Sequence, residues 1–319
     1  MKTDILNIGM IGLDTSHAPL FAEMLNNSDH PHHVPGGRLT TAFPGGSPDF
    51  PLSIDRVSGY TAQIRDDFGV RMVESVEAVA EQTDALMLLT VDGRLHVEQF
   101  AAVASYGKPV FIDKPFALSS HDAGVIARLA RKHNVPLLSC SSVRWAENLA
   151  AAAEENEAGN LIGVDCYGPM ELQPTQPGFF WYGIHMADML YRCMGPGCAE
   201  VKVTTAEDHD LAVGVWADGR IGTIRGNRKG NKRFGALLHR DQGTGHVDIY
   251  AQQKPYYASM LEAVIRMFQT QTPPININET LEVIAFLEAA NESRMTGQPV
   301  SLKISQHGEG ISNHRTSAY

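Results

Sequence analysis

Apolar runs and amphipathic segments alternate along the first half of the chain. Strand-like segments are predicted at 5–13, 38–43, 70–73, 85–90, 110–112 and 136–141, and the apolar run at 85–90 is typical of a strand buried on both faces. The segments between them have helical spacing and predict helices at 19–25, 61–68, 76–81, 96–105 and 120–133. This alternation predicts a parallel, doubly wound α/β sheet, in which ligands bind beyond the carboxyl ends of the strands.

The second half follows a different pattern. Residues 146–157 predict a helical linker, and β-like segments with turn signals come after it. Asp218-Gly219 predicts a hairpin between strands at 211–216 and 221–224, because Asp-Gly is a strong two-residue turn signal. Amphipathic helices are predicted at 256–269 and 279–296. The pattern favours a mainly antiparallel, open sheet with helices on one face.

Length and charge narrow the class of protein. At ~150 residues per domain, 319 residues correspond to about two domains. We expect a dinucleotide-binding domain over residues 1–145 and an α+β domain for substrate binding and oligomerisation over residues 146–319. The net charge of −10 is a poor match for nucleic acid or an anionic membrane. No apolar run approaches the ~18 residues of a membrane span, and the first residues lack a signal-peptide pattern. A cytoplasmic protein is expected.

The cysteines and the histidine-rich loop predict no metal site. Cys140, Cys166, Cys193 and Cys198 contain no C-x-x-C pair, so reduced thiols are expected. His30, His32 and His33 form a cluster with only Asp29 as a nearby acidic ligand. We therefore predict that the protein binds no metal.

The turn after the first strand carries a degraded dinucleotide-binding fingerprint. In a G-x-G-x-x-G pattern anchored at Gly12, the second and third positions hold Asp14 and His17. Asp14, Thr15 and Ser16 are good helix-capping residues, and a capped helix still offers N–H groups to an anion. The alternative is an ordinary capped turn that binds nothing.

The second strand leaves the choice of dinucleotide open. In NAD-binding sheets an acidic residue at the end of this strand binds the ribose. Here residues 44–48 follow the strand and the first acid is Asp49. This mildly favours NADP or an atypical NAD site, so the expected cofactor is NAD or NADP.

Four motifs in order carry a family resemblance. Asp113-Lys114-Pro115 follows the fifth strand, and residues 88–90 are followed by His96. Residues 183–188 read Gly-x-His-x-x-Asp, and residues 288–293 fit as the fourth motif. Together these motifs resemble those of the glucose–fructose oxidoreductase and inositol dehydrogenase (Gfo/Idh/MocA) family, with Asp113 in place of the Glu of its Glu-Lys-Pro.

The resemblance implies both a fold and an activity. The fold is an N-terminal Rossmann domain with a C-terminal domain whose open sheet commonly mediates oligomers, so a homo-oligomer, dimer or tetramer, is expected. The implied activity is NAD(P)-linked oxidation or reduction at a carbinol carbon of a sugar, a cyclitol or a sugar derivative.

The resemblance and the residue chemistry together predict the site. Lys114 lies just past a strand end, where partial desolvation favours proton exchange. His185 and Asp188 share a helix face, so that Asp188 is expected to orient the imidazole. The predicted catalytic residues are Lys114, His185, Asp188 and Tyr182, and the predicted substrate-binding residues are Lys114, Trp181 and His185. The predicted cofactor-binding residues are Gly12, Asp14, Thr15, Ser16, His17, Thr90, Asp92, His96, Asp113, Lys114 and Arg144.

Trp181 is the main departure from the family pattern. Family dehydrogenases usually carry Asp four residues before the histidine, where this chain has Trp181. The tryptophan is expected either to stack on a sugar face or to pack in the core. The departure motivates two alternatives to a dehydrogenase. One is an enzyme that uses retained NAD(H) for elimination, epimerisation or glycoside cleavage, and the other is a binding or regulatory module without catalysis.

One basic stretch stands out in the acidic chain. It comprises Arg225, Arg228, Lys229, Lys232, Arg233 and Arg240. A solvated or oligomer-facing strand is the simpler interpretation, and binding of an anionic substrate such as a sugar acid is the alternative. The stretch lacks the interleaved aromatic residues of a nucleic-acid site.

Overall fold

The first part of the chain folds around a six-stranded parallel sheet. The computed structural model describes residues 5–302. The strands stand in the order β3-β2-β1-β4-β5-β6, and are β1 (Leu6–Ile11), β2 (Gly37–Phe43), β3 (Arg71–Met72), β4 (Ala85–Leu88), β5 (Val110–Ile112) and β6 (Leu137–Ser139). The helices are α1 (His17–Asn26), α2 (Pro51–Phe68), α3 (Val76–Gln82), α4 (His96–Ala104) and α5 (Ser120–His133). The predicted doubly wound sheet is confirmed, with the switch in strand order between β1 and β4.

Helix α2 is longer than the sequence pattern predicts. It begins at Pro51 rather than near residue 61, and proline is well suited to the first helical position because it has no N–H to leave unpaired. Only Ser53 and Ile64 of this helix are buried. An exposed helix has no apolar stripe, so its first ten residues gave no periodic signal.

The second part of the chain is built on a seven-stranded sheet. Its order is β12-β11-β7-β10-β9-β8-β13, and all neighbouring pairs are antiparallel except β7 and β10. The strands are β7 (Leu161–Pro169), β8 (Cys198–Thr205), β9 (His209–Trp216), β10 (Ile221–Asn227), β11 (Gly235–Arg240), β12 (Gly243–Asp248) and β13 (Val300–Ser301). The helices are α6 (Glu147–Glu154), α7 (Gly183–Met194), α8 (Tyr256–Thr270) and α9 (Ile277–Thr296). The predicted hairpin at Asp218-Gly219 joins β9 to β10.

Helices cover one face of the second sheet and leave the other open. Helices α7 and α9 bury Tyr191 and Phe286 against Trp216 of β9. On the opposite face Val215 and Ile221 are exposed. The mixed α+β architecture with an open sheet, as predicted from the sequence, is confirmed.

Helix α8 connects the two halves of the chain. It belongs to the second half, yet its buried side chains Leu261, Ile265 and Phe268 share a core with Phe21 of α1 and Phe111 of β5. The start of α8 therefore lies beside the carboxyl edge of the first sheet, where it brings two tyrosines to the candidate site.

The described part of the chain shows neither a membrane helix nor a metal cluster. None of the helices between residues 5 and 302 has both the length and the apolar character needed to cross a bilayer. Within the same residues, no group of three or more His, Cys, Asp or Glu side chains is placed to hold a metal ion. The four cysteines are free thiols.

Candidate functional site

The turn after β1 is built for close approach at one glycine. Gly12 has φ of +85°, and a Cβ atom there would lie 2.3 Å from Oγ1 and 2.4 Å from the backbone nitrogen of Thr90. The N–H of Gly12 donates to the carbonyl of Phe43 at 3.0 Å. A side chain at position 12 would therefore push the β1 turn away from the end of β4.

Asp14 replaces the second glycine of the fingerprint and points into the protein. Its Oδ2 accepts a hydrogen bond from Ser53 Oγ at 2.6 Å, and its Oδ1 accepts from the N–H of Val91 at 3.0 Å. The side chain is fully buried, and burial raises the pKa of the carboxyl. Asp14 therefore ties the turn to α2 and to the loop after β4, and both carboxylate oxygens are engaged within the protein.

The start of α1 is capped differently from the expectation. The hydroxyl of Ser16, at the N-cap position, makes no capping hydrogen bond. Thr15 takes that part instead, since its Oγ1 accepts from the N–H of His17 at 3.4 Å and its carbonyl accepts from Ala18 at 3.1 Å. Of the three predicted caps, only Thr15 bonds to the helix.

At the third fingerprint position, His17 reaches across to the end of β5. Its Nδ1 lies 2.6 Å from Oδ2 of Asp113, and both side chains are buried. Burial opposes ionisation of Asp113, but the charges and hydrogen bonds of His17 and Lys114 outweigh it and lower its pKa to about 2. Asp113 is therefore a carboxylate, and the spacing of the motifs gave no sign of this pairing.

Lys114 faces an aromatic ring rather than a carboxylate. Its Nζ lies 5.3 Å from the centroid of the Trp181 ring, within the range of a cation–π contact. Trp181 is buried, with Phe50 and Tyr182 at ring-centroid distances of 5.7 and 5.9 Å. Trp181 thus packs in a small apolar cluster and shows one face to the lysine.

His185 is held by a serine that the sequence analysis did not select. Its Nδ1 lies 2.6 Å from Oγ of Ser141, just beyond the end of β6. The side chain is buried, and burial together with the charges of Lys114 and His17 lowers its pKa well below the usual value. The imidazole is therefore neutral at neutral pH. Position beyond a strand end was the signal that would have identified Ser141.

Asp188 does not bond to His185, contrary to the expectation. Its Oδ2 accepts a hydrogen bond from the N–H of Ser141, and Oδ1 lies 3.5 Å from a guanidinium nitrogen of Arg144. Burial raises its pKa to about 6, against the opposing charge of Arg144. One turn of helix places both side chains on the same face, but they contact opposite ends of Ser141. Asp188 supports the imidazole only through that residue.

Arg144 is committed to ion pairs inside the protein. It is buried and bonds to Asp188 and to Glu279 of α9. The expectation that Arg144 lies near the cofactor rested only on its position in the chain after the sixth strand. Its ion pairs instead join the segment after β6 to helices α7 and α9.

Three other residues of the predicted cofactor set hold the loop after β4. Thr90 Oγ1 donates to Gln99 at 2.9 Å, and the imidazole of His96 bonds to the Thr90 carbonyl at 2.8 Å. Asp92 accepts hydrogen bonds from Arg94 and Gln176. Burial opposes ionisation of Asp92, but these bonds outweigh it and lower its pKa to about 2. The polar groups of the loop are therefore engaged by neighbouring protein side chains.

A cavity of about 320 Å³ opens beside His185. Five of its eleven lining residues are Phe or Tyr, and tyrosines from α8 and from the loops before α7 and α8 converge on it. The lining residues are Ser142, Val143, Pro169, Glu171, Tyr182, His185, Lys232, Phe234, Tyr250, Tyr256 and Tyr257. Of the predicted catalytic residues, Tyr182 and His185 line this cavity, which we call the aromatic cavity.

A second cavity of about 450 Å³ lies beyond the ends of β2 and β3. Gly45 and Gly46 form one wall, and the backbone there approaches Gly12 closely. Glu74, Glu77 and Glu98 also line it, whereas no Lys or Arg stands among its described lining residues. We call it the acidic cavity.

The basic stretch is dispersed over the second sheet. Five of its six residues pair with acids: Arg228 with Asp210, Lys229 with Asp208, Lys232 with Glu171, Arg233 with Asp248, and Arg240 with Glu155. Arg225 lines a cavity of about 670 Å³ on the open face. Only Lys232 reaches the aromatic cavity, so the stretch does not form a single anion site.

The raised pKa of Asp188 makes a testable contribution to stability. A carboxyl with a pKa of about 6 in the folded state and about 4 in the unfolded chain stabilises the fold below pH ~4, and this contribution is lost as pH rises through 6. In Asp188→Asn, the free energy of unfolding should lose a pH-dependent contribution on the order of 2 kcal/mol. Urea unfolding of both proteins between pH 4.5 and 6.5 measures it, and parallel profiles would contradict the assignment.

The chain is similar to known oxidoreductases in sequence over its first part and in fold over most of its length. Residues 6–141 match the model of a family described as "Oxidoreductase family, NAD-binding Rossmann fold". No curated protein sequence matches the chain. Among solved structures, a probable dehydrogenase from Thermotoga maritima is 20% identical over 93% of this chain and 99% of that one, with a TM-score of 0.76.

Two inositol dehydrogenases share the fold over similar lengths. Myo-inositol 2-dehydrogenase from Lactobacillus plantarum is 16% identical over 94% of this chain and 100% of its own, with a TM-score of 0.78. Scyllo-inositol dehydrogenase from Lactobacillus casei, solved with NAD(H) and scyllo-inositol, is 14% identical over 94% and 99%, with a TM-score of 0.77. At these identities the likeness establishes the fold. Residues 6–141, which include the first sheet, are thus similar to the Gfo/Idh/MocA family of NAD-binding oxidoreductases.

Proposed function

We propose that the protein is a nicotinamide-dependent dehydrogenase acting on a carbinol carbon of a sugar, a cyclitol or a sugar derivative. The observation that carries the proposal is that Tyr182 and His185 line the aromatic cavity while Lys114, from the end of β5, faces the ring of Trp181 next to Tyr182. The charge of Lys114 depresses the pKa of His185, so the two groups lie within each other's field. A cation next to a neutral imidazole is suited to removing a proton from a hydroxyl group.

The carboxyl edge of the first sheet fits a dinucleotide. Gly12 lets the β1 turn pack directly against Thr90, and the inward orientation of Asp14 removes a negative charge from that edge. Thr15, Ser16 and the backbone of His17 would hold the phosphates, with Gly12 allowing their close approach to the turn. Asp14, Thr90, Asp92 and His96 act by shaping the surrounding loops. Arg144 is excluded from this proposed set by its ion pairs.

Different groups accept the hydride and the proton that leave the substrate. When bound, the nicotinamide supplies the hydride acceptor for carbinol oxidation. His185 accepts the hydroxyl proton, because its lowered pKa leaves the imidazole unprotonated and Ser141 bonds to Nδ1, which leaves Nε2 for the substrate. The Lys114 ammonium stabilises the negative charge that develops on the oxygen. Tyr182, at the wall of the aromatic cavity, would contact the substrate hydroxyls.

The acidic cavity supports NAD rather than NADP as the cofactor. An acid binds the free ribose hydroxyl of NAD, whereas the extra phosphate of NADP requires a cation. Glu74, Glu77 and Glu98 line this cavity, and the described lining residues include no Lys or Arg. The missing acid at the end of β2, which mildly favoured NADP, is thus replaced by acids from other segments.

Nucleotide release and titration test the proposal. The purified protein is denatured, any released nucleotide is identified by mass, and the native protein is titrated with NADH and with NADPH by fluorescence. Binding of NADH that is tighter than that of NADPH is expected. If the protein binds neither NADH nor NADPH, a binding or regulatory module without catalysis is favoured. If a nucleotide is retained but no NADH is released during turnover, an elimination or epimerisation reaction is favoured.

The open face of the second sheet supports a homo-oligomer. Val215 and Ile221 are exposed there, on the face that also carries the cavity of about 670 Å³. Exposed apolar patches of this kind are typical of protein interfaces. Val215→Glu should sediment as a smaller assembly than the wild type while remaining folded. A wild-type monomer in sedimentation velocity would contradict this part of the proposal.

A further inference from the structure

The bond between His17 and Asp113 crosses the crevice of the first sheet. His17 opens the helix that follows β1, and Asp113 follows β5. In the sheet, β4 lies between β1 and β5. The imidazole and the carboxylate therefore meet over the carboxyl end of β4, where ligands of doubly wound sheets bind.

The same carboxylate also holds the backbone of Lys114. Oδ2 of Asp113 bonds to Nδ1 of His17 at 2.6 Å, and Oδ1 accepts the N–H of Lys114 at 2.8 Å. An ionised carboxylate only accepts hydrogen bonds, so the hydrogen lies on Nδ1 of the imidazole. With one donor on each oxygen, the carboxylate plane is fixed between the two residues.

The imidazole is itself held from two sides. The ring of Phe21, one turn along α1, stacks on it at a centroid distance of 5.4 Å. The ring of Tyr257, from α8, meets it edge-on at 5.2 Å. His17 is only 6% exposed, so rotation out of this position would require the helices to move.

We propose that His17 is a positioning residue for Lys114, acting through Asp113. The proposal rests on the proposed function, in which Lys114 stabilises the charge on the reacting oxygen. One carboxylate oxygen of Asp113 accepts the backbone N–H of Lys114. His17 donates to the other oxygen, and this second hydrogen bond keeps the buried carboxylate charged and in place. The histidine thus gives a structural reason for the loss of the third fingerprint glycine.

Kinetics of two His17 variants and one control test the role. His17→Ala should lower kcat ~10–100-fold, the usual cost of removing a group that orients a catalytic side chain, with little change in either KM. His17→Asn should recover most of the loss, because its amide can donate to Asp113 from near the Nδ1 position. His33→Ala is the control, since it removes an imidazole bonded to the Met24 carbonyl of the same helix. It should keep kcat.

A second readout separates this proposal from the proposed function. The rate at which trinitrobenzenesulfonate labels the Lys114 amine, followed by peptide mass spectrometry, needs no substrate. His17→Ala should change that rate several-fold, and His17→Asn and His33→Ala should not. Unchanged labelling with unchanged kcat in folded His17→Ala would overturn the positioning role, as would a raised KM for the dinucleotide alone. Absence of turnover by the wild-type protein would contradict the proposed function. The labelling rate would still show whether His17 positions Lys114.

Discussion

Lys114→Met is expected to reduce kcat by a factor on the order of 10²–10⁴ while the protein stays folded. That range is the usual contribution of a positioned acid–base or charge-stabilising group. Methionine keeps most of the length of lysine and remains able to pack against Trp181. The loss therefore reports the ammonium group and not the packing of the side chain. Turnover followed by the absorbance of the reduced nicotinamide measures it.

Lys108→Met is the matched control for this experiment. Lys108 lies just before β5, at the opposite end of the strand from Lys114, and is also half-buried. Its ammonium bonds to the carbonyls of Ala80 and Thr83, away from the crevice. Its replacement should lower the melting temperature and leave kcat unchanged. Equal rates in the Lys114 variant and the wild type would show that the site is misassigned.

His185→Asn is expected to lower kcat by a similar factor of about 10²–10⁴. The asparagine amide remains able to bond to Ser141, so the pocket should keep its shape, but it offers no nitrogen that accepts a proton. Because burial and nearby cations lower the pKa of His185, the wild-type base stays unprotonated below neutral pH. The wild-type rate should therefore be nearly flat from pH 8 down to about pH 6.

The pH profile distinguishes a proton acceptor from a packing residue. In His185→Asn the residual rate should rise with pH, because hydroxide replaces the missing base. His133→Asn, in the last turn of α5, serves as the control and should keep both the rate and the flat profile. A wild-type rate that falls steeply below pH 7 would contradict the low pKa of His185, and an active His185→Asn enzyme would contradict its role as the base.

Strands and buried helices were predictable because their burial leaves a pattern. Helix α5 was predicted to the residue, since Ala127 and Ala130 mark its buried side. The first turns of α2 were missed because that helix is mostly exposed. The edge rule for doubly wound sheets also predicted Lys114, whereas His185 was predicted from the resemblance of residues 183–188 to a family motif.

Hydrogen-bond partners were not predictable from spacing. Asp188 lies one turn from His185, and spacing alone suggested a direct bond, yet the structure puts Ser141 between them. His17 and Asp113 are 96 positions apart. Such pairings depend on how the strand ends are placed in space, which periodicity does not record. Arg144 shows the same limit, because its partners lie on α7 and α9.

Trp181 has a physical explanation that the sequence left open. The ring is only 7% exposed, and it packs on Phe50 while facing the Lys114 ammonium. It therefore replaces a carboxylate with an aromatic face as the neighbour of the lysine. In the proposed function, the tyrosines of the aromatic cavity would make the substrate contacts that a carboxylate at this position would supply.

Isotope transfer tests the central claim most directly. The protein is incubated with NAD and with a panel of cyclitols and sugars deuterated at their carbinol carbons, and the nicotinamide is analysed by mass spectrometry. The account predicts that at least one compound yields NADH carrying one deuterium, with no transfer by Lys114→Met. Tight binding of NADH without deuterium transfer from any of these compounds would contradict hydride transfer from a carbinol.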